Sequence, residues 1–202
     1  PLLHGDPCLL WLQLHGRDYG FAPDAFRYAF LSWIGEKAKE FEHTWLTHVA
    51  GAEVVVNCEQ PYLVRHAQYV GRTLTLMAAQ VPVIYQAAMW APELGIYGTA
   101  DIIVLRSWLA RKFPGLFPDH SGEDGYVAGD LKFQNGLLTS LSKKIDYNVA
   151  AAQIRLYAAM LAHMQDEESP YGVLITRDRP LEPARIDSGY RPGGGLDAQL
   201  AQ

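Results

Sequence analysis

Two aspartates interrupt apolar, β-forming segments. Asp101 lies in Gly98-Thr99-Ala100-Asp101-Ile102-Ile103-Val104, and Asp130 in Tyr126-Val127-Ala128-Gly129-Asp130-Leu131-Lys132. A carboxylate inside such a segment costs free energy unless it is paired or holds a metal. Residues two apart in a strand share a face, so Asp130 and Lys132 stand side by side. Hydrolysis of a phosphodiester needs an activated water and a stabiliser for charge on the leaving oxygen. Mg²⁺ or Mn²⁺ supplies both and prefers carboxylate oxygens. Asp101 and Asp130 are therefore candidate metal ligands, with the Leu131 carbonyl as a further oxygen donor. Lys132 would orient the water or stabilise charge on the phosphate. For an isolated Asp-x-Lys in a strand, a structural salt bridge is the simpler reading.

Gln153 and Tyr157 are four apart in an alanine-rich segment and share a helix face. They are placed to hydrogen-bond a metal-site residue or a phosphate; the alternative is a buried Gln at a strand end and a core Tyr. Between Asp101 and Arg155 the chain has seven Lys/Arg and six Asp/Glu. With Asp101 and Asp130 on a cation, the balance becomes seven against four (6 − 2), a strip able to follow a nucleic-acid backbone. Its members include Arg111, Lys112, Lys143 and Lys144, and an ordinary mixed surface is the plainer reading of Arg111-Lys112. The histidines show no metal-ligand spacing among themselves, and no serine sits in a nucleophile elbow. The tryptophans, among them Trp33, Trp45 and Trp90, read as core. Trp11 and Trp108 have base stacking as an alternative to core packing.

The elements that must position these residues follow from periodicity. Residues 9–15 read as a short buried helix. A longer helix is expected over 24–49, with Phe26, Phe30, Ile34, Phe41, Trp45 and Val49 as its apolar stripe. Strands are expected at 53–57, 73–77, 81–89, 98–105 and 126–133. Residues 106–125 read as an exposed loop or a short helical insertion. A helix is expected over 147–165 and a last strand over 171–176. Beyond Arg177 the proline- and glycine-rich sequence reads as a poorly ordered tail. The order predicts an α/β fold with a central mixed β-sheet flanked by helices. No glycine-rich phosphate loop follows a strand, which argues against a nucleotide-binding fold.

Composition bounds the class. The chain has 202 residues, a formal net charge of −5, 49% hydrophobic and 19% charged residues. It is too apolar for a disordered chain, and no run of about 18 apolar residues suggests a bilayer span. The acidic balance argues mildly against a polyanion partner. Two cysteines without a CxxC pattern do not suggest a disulfide framework. Without a signal-peptide pattern at the N-terminus, a cytoplasmic protein is expected, as a fragment or trimmed product of a longer chain.

In order along the chain stand Gly98-x-x-Asp101, Asp130-x-Lys132 and Gln153-x-x-x-Tyr157. This ordered set resembles the PD-(D/E)XK nuclease superfamily, and within it the RecB-like exonuclease branch, related to CRISPR-associated exonucleases. Pro82-Val83-Ile84-Tyr85-Gln86-Ala87 and Cys8-Leu9-Leu10-Trp11-Leu12-Gln13-Leu14-His15-Gly16 are similar to segments of predicted nucleases of that branch. The resemblance spans residues 8–176. It implies a restriction-endonuclease-like core of order α-β-β-β-α-β, with residues 1–176 as the nuclease domain and 177–202 as a flexible tail. It also implies a metal ligand on the leading helix, here Glu42, with His43 and Glu40 as alternatives. Asp101, Asp130, Lys132, Gln153 and Tyr157 become the catalytic set, and Asp101, Asp130, Glu42 and Leu131 the metal set. Cys8 matches the first cysteine of the branch's iron–sulfur members, but the later cysteine cluster is absent, so no iron–sulfur cluster is expected. The implied activity is a Mg²⁺- or Mn²⁺-dependent DNA nuclease, an exonuclease on single-stranded or end-containing DNA. The alternative is a catalytically silent DNA-binding module of a larger repair or recombination assembly. DNA, further domains of a longer chain and no membrane are the expected partners.

Overall fold

A computed structural model of the chain describes residues 23–58, 66–117, 125–133, 141–166, 169 and 171–187. The chain divides into an N-terminal unit, Pro1–His43, and a larger unit, Thr44–Gln202. Helix α1 (Pro23–Trp45) supplies the described part of the first unit. Its α-geometry ends before the expected Val49, because the chain widens into a π-turn over Leu46–Ala50. Gly51, with φ of 63°, takes a positive-φ conformation that favours glycine, and there the turn stops. Residues 9–16 and Cys8 lie outside the described residues.

The larger unit is built on one sheet of six strands. These are β1 (Val54–Val56), β2 (Val83–Ala91), β3 (Ile96–Leu105), β4 (Tyr126–Lys132), β5 (Tyr171–Thr176) and β6 (Arg179–Asp187). The strands lie in the sheet in chain order. β1 and β2 are parallel and are joined through helix α2 (His66–Ala78). β2, β3 and β4 run antiparallel in succession, with helix α3 (Arg106–Lys112) between the last two. β4 and β5 are parallel, joined through helix α4 (Leu141–Gln165), and β6 returns antiparallel to β5. The fold is thus α/β with a mixed sheet, as the element order predicts. No described helix is long and apolar enough to cross a membrane.

A buried apolar cluster lies under α4. Ala150, Ala151 and Ile154 pack with Leu174 of β5 and Ile186 of β6. The helix lies close because Gly172 has no side chain: a Cβ there would overlap Cγ2 of Ile154. All six residues of β5 are buried, which is the continuous apolar pattern of a strand covered on both faces.

Several expectations are corrected. Residues 73–77 are helical, within α2. Thr73 and Thr75 donate their hydroxyls to the carbonyls of Tyr69 and Gly71, both at 3.0 Å, as threonines inside a helix do. Val70, Thr73 and Met77 are the buried face. The tail does not begin at residue 177, because 179–187 form β6. Its prolines, Pro180 and Pro183, are tolerated because β6 is an edge strand. Pro180 also accepts a hydrogen bond from Trp45 Nε1 at 3.0 Å. Residues 188–202 lie outside the described residues. Helix α4 starts at Leu141, six residues before the expected 147 (147 − 141). Of the alternatives for 106–125, the helical one applies at Arg106–Lys112, with Trp108 and Leu109 buried. Trp45 and Trp108 are core residues, but Trp33 and Trp90 are exposed.

Candidate active site

β3 and β4 pair from Leu105↔Tyr126 to Ile102↔Gly129. One step further, Asp101 would stand opposite Asp130, and there the ladder stops. The Leu131 amide at this fork donates to Asp101 Oδ2 at 2.8 Å. The Asp101 carboxylate thus takes the place of a ladder acceptor and is tied to the second acidic strand. The sequence offered the Leu131 carbonyl as a ligand; the contact the structure gives to Asp101 uses the N–H.

Asp130 is completely buried. Its partner is Lys132, two residues on and on the same face. Lys132 Nζ donates to Asp130 Oδ1 at 3.1 Å and lies 2.8 Å from Oδ2. The shorter approach is a charge contact only, since its direction leaves Oδ2 without a hydrogen-bond partner. Lys132 Nζ also reaches Gln153 Oε1 at 3.4 Å, and Gln153 Nε2 donates to the Tyr157 hydroxyl at 2.6 Å. Asp101, Asp130, Lys132, Gln153 and Tyr157 therefore come together, from β3, β4 and α4.

Charge states follow from these surroundings. Burial alone would lower the Lys132 ammonium. The charge and hydrogen bond of Asp130, helped by Asp101 and the Tyr157 oxygen, outweigh it and raise the pKa above 10.5. Burial likewise raises the Tyr157 phenol above 10.0; the Gln153 hydrogen bond pulls the other way, and Asp130 and Asp101 add to the rise. At neutral pH the site presents a cationic lysine and a neutral phenol.

Gly98 of the Gly-x-x-Asp motif has a local explanation. A Cβ there would lie 3.1 Å from Met160 Cε and 3.7 Å from Tyr157 Cε1, so the glycine makes room for α4 beside β3. Sequence reasoning used this glycine as a motif position and missed its packing role.

The remaining expected residues are carried by other elements. Glu42 is half-buried on α1, in the N-terminal unit, outside the unit that carries the acids. On the same helix Glu40 pairs with Lys37 at 2.5 Å, and His43 is exposed. Arg111 is committed to Glu53 at 2.6 Å, whose other oxygen accepts from Trp108 Nε1 at 2.9 Å. Trp108 is thereby a tied core residue and is closed to base stacking. Arg155 is exposed and donates to the Asp187 carbonyl at 3.2 Å. Trp11 and the Lys143 and Lys144 side chains lie outside the described residues.

Among the described residues, no group of three or more His, Cys, Asp or Glu gathers as a metal site. Mg²⁺ needs less than that: it is commonly held by one or two carboxylates, with waters and substrate phosphates completing its shell. Asp130 Oδ2, buried, 2.8 Å from the Lys132 ammonium and without a hydrogen-bond donor among the described residues, is a hard oxygen of the kind such a cation takes. The donor set at the fork fits Mg²⁺ or Mn²⁺ on that ground. Comparison of the chain with protein-family models and with curated proteins found no match in either.

Proposed function

We propose that this chain is a Mg²⁺- or Mn²⁺-dependent DNA nuclease acting on single-stranded or end-containing DNA. The observation that carries the reading is the meeting of Asp101, Asp130, Lys132, Gln153 and Tyr157 where β3 and β4 part. The order helix, three antiparallel strands, crossover helix, parallel strand supports a restriction-endonuclease-like core for the same reason. It brings two acids on neighbouring strands under one helix.

Asp101 and Asp130 would hold the cation, with the Leu131 carbonyl as a further oxygen. The bound cation supplies an acidified water and neutralises phosphate charge. Lys132 keeps its proton on Nζ and offers it as a charged donor to a phosphate oxygen. Gln153 accepts from Lys132 and thereby fixes where that donor points. Tyr157, neutral at working pH, holds Gln153 in place. The reading assigns the enzyme to the cytoplasm, where Cys58, a buried thiol, stays reduced.

The test is cleavage of an end-labelled single-stranded oligonucleotide with Mn²⁺ or Mg²⁺. Asp130→Asn keeps the shape and removes the charge, and its rate is expected to fall about 100-fold or more. Chelator should stop the wild type, and added metal should restore it. Equal rates for wild type and Asp130→Asn would end the nuclease reading. A wild type that binds DNA without cleaving it, and binds no Mn²⁺ by calorimetry, would identify a silent DNA-binding module instead.

A further inference from the structure

We infer that Asn57 and Gln86, outside the Gly98-x-x-Asp101, Asp130-x-Lys132 and Gln153-x-x-x-Tyr157 set, are positioning residues that set the place of Asp101. The kinetic part of this inference rests on the nuclease reading; the positional part does not.

Every residue of β2 from Val83 to Ala91 has a partner on β3 except Gln86. The flanking pairs, Tyr85↔Ile102 and Ala87↔Ala100, put Gln86 opposite Asp101. The ladder is therefore interrupted at the level of the acid. Gln86 has φ of 53°, in the left-handed region that a residue with a Cβ rarely adopts. Such conformations persist where their surroundings over-determine them.

Here the surroundings are Asn57. Its backbone N–H donates to the Tyr85 carbonyl at 2.9 Å, and its Nδ2 lies 3.3 Å from the Gln86 carbonyl. The same Nδ2 lies 2.9 Å from Thr73 Oγ1 and 3.2 Å from the Tyr69 carbonyl of α2. Two of these neighbours are carbonyls and can only accept, which fixes the amide with its NH₂ toward them. Thr73 donates to Tyr69 and is left to accept from Asn57. The arrangement leaves Asn57 Oδ1 buried with no hydrogen-bond partner. An amide buried with an orphaned oxygen is costly, so it stands where other contacts of the fold offset it.

The arrangement bears on the aim of Asp101. In an unbroken ladder the strands would hold Asp101 in the regular alternation. With the Gln86 carbonyl turned to Asn57, the β2–β3 register is interrupted at the level of Asp101, whose Oδ2 accepts from the Leu131 amide on the other side. A local ladder break is a known way to re-aim a side chain.

The Leu131 amide is a built-in reporter of where Asp101 sits. Hydrogen exchange at that amide, with kcat and KM on a single-stranded oligonucleotide, is measured for wild type, Gln86→Val and Gln86→Gly. Valine disfavours positive φ, and glycine accepts it. For Gln86→Val we expect Leu131 exchange about tenfold faster or more, with the amides of Ile103 and Val173 unchanged. Its kcat should fall about 10- to 100-fold at unchanged KM and undiminished Tm. Gln86→Gly should match the wild type in both. Should valine prevent folding, Asn57→Ala makes the same comparison. Wild-type exchange at Leu131 in the substituted protein overturns the inference. If the wild type cleaves nothing, the nuclease reading fails alone, because the exchange still decides the positional claim.

Discussion

Lys132 carries the charge balance of the fork. It is the cation beside a fully buried Asp130, and the two differ in exposure, since the lysine keeps about a third of its side chain in water. Removing one partner of such a pair strands the other. Lys132→Ala is expected to lose about 2–3 kcal/mol by urea unfolding, toward the low end for buried pairs because solvent reaches the lysine side. Adding Asp130→Asn should recover most of the loss, which a salt bridge of no structural weight would not show. The pH dependence has a definite sign. A lysine whose folded pKa is raised contributes stability in full below its unfolded value of 10.5 and loses it as pH rises through the folded value. The stability gap between wild type and Lys132→Met should therefore be level from neutral pH to about 10 and shrink above it. At this scale the sequence was informative where local rules apply. The two-residue period joined Asp130 to Lys132, and the four-residue helix spacing joined Gln153 to Tyr157. The Leu131 amide and Asn57 escaped it, because their parts depend on which strand lies alongside and where its ladder stops.

Elements are positioned by what their neighbours lack. α4 carries Gln153 and Tyr157, and two glycines let it approach the sheet. They differ in how much a methyl would cost. At Gly98 the obstruction is the tip of Met160, a flexible side chain that can move aside. At Gly172 it is the branched Ile154 and the backbone oxygen of Ala128, the latter 2.9 Å from the added Cβ. Gly172→Ala should lose about 1–3 kcal/mol and lift α4 from the sheet, lowering cleavage through the Lys132–Gln153 contact. Gly98→Ala should leave stability nearly unchanged, and urea unfolding of the two variants makes the comparison. The two misread elements share a cause. Thr73-Leu74-Thr75-Leu76 has the β-branched alternation of a strand, yet the preceding helical carbonyls satisfy its hydroxyls. Arg179–Asp187 contains two prolines that read as breakers, yet an edge strand leaves N–H positions unused. In both, where the backbone hydrogen-bonding groups lie, rather than residue type alone, set the element.

For the whole molecule, β6 decides where the fold can be cut. A chain ending at Thr176 would leave β5, buried along its full length, with a bare edge. Exposed apolar edges pair with other chains. Size-exclusion chromatography should show a chain ending at Asp187 as a defined species and one ending at Thr176 as aggregate; two matching profiles would remove β6 from the fold. The net charge of −5 also reads differently with the fork in view, since two of those acids stand opposite each other on neighbouring strands. A further consequence lies in the strand order, which repeats the chain order from β1 to β6. Each strand after β1 pairs with one that precedes it in the chain, and β2, β4 and β5 each follow a connection that contains a helix. Asp101 and Asp130 lie on strands that precede α4 in the chain, so the two strands can pair before α4 packs beside them. Gln153 and Tyr157 come later, and the acids are roofed over only when β5 locks the helix down. The order of the chain is thus also the order in which the surroundings of the two acids are completed.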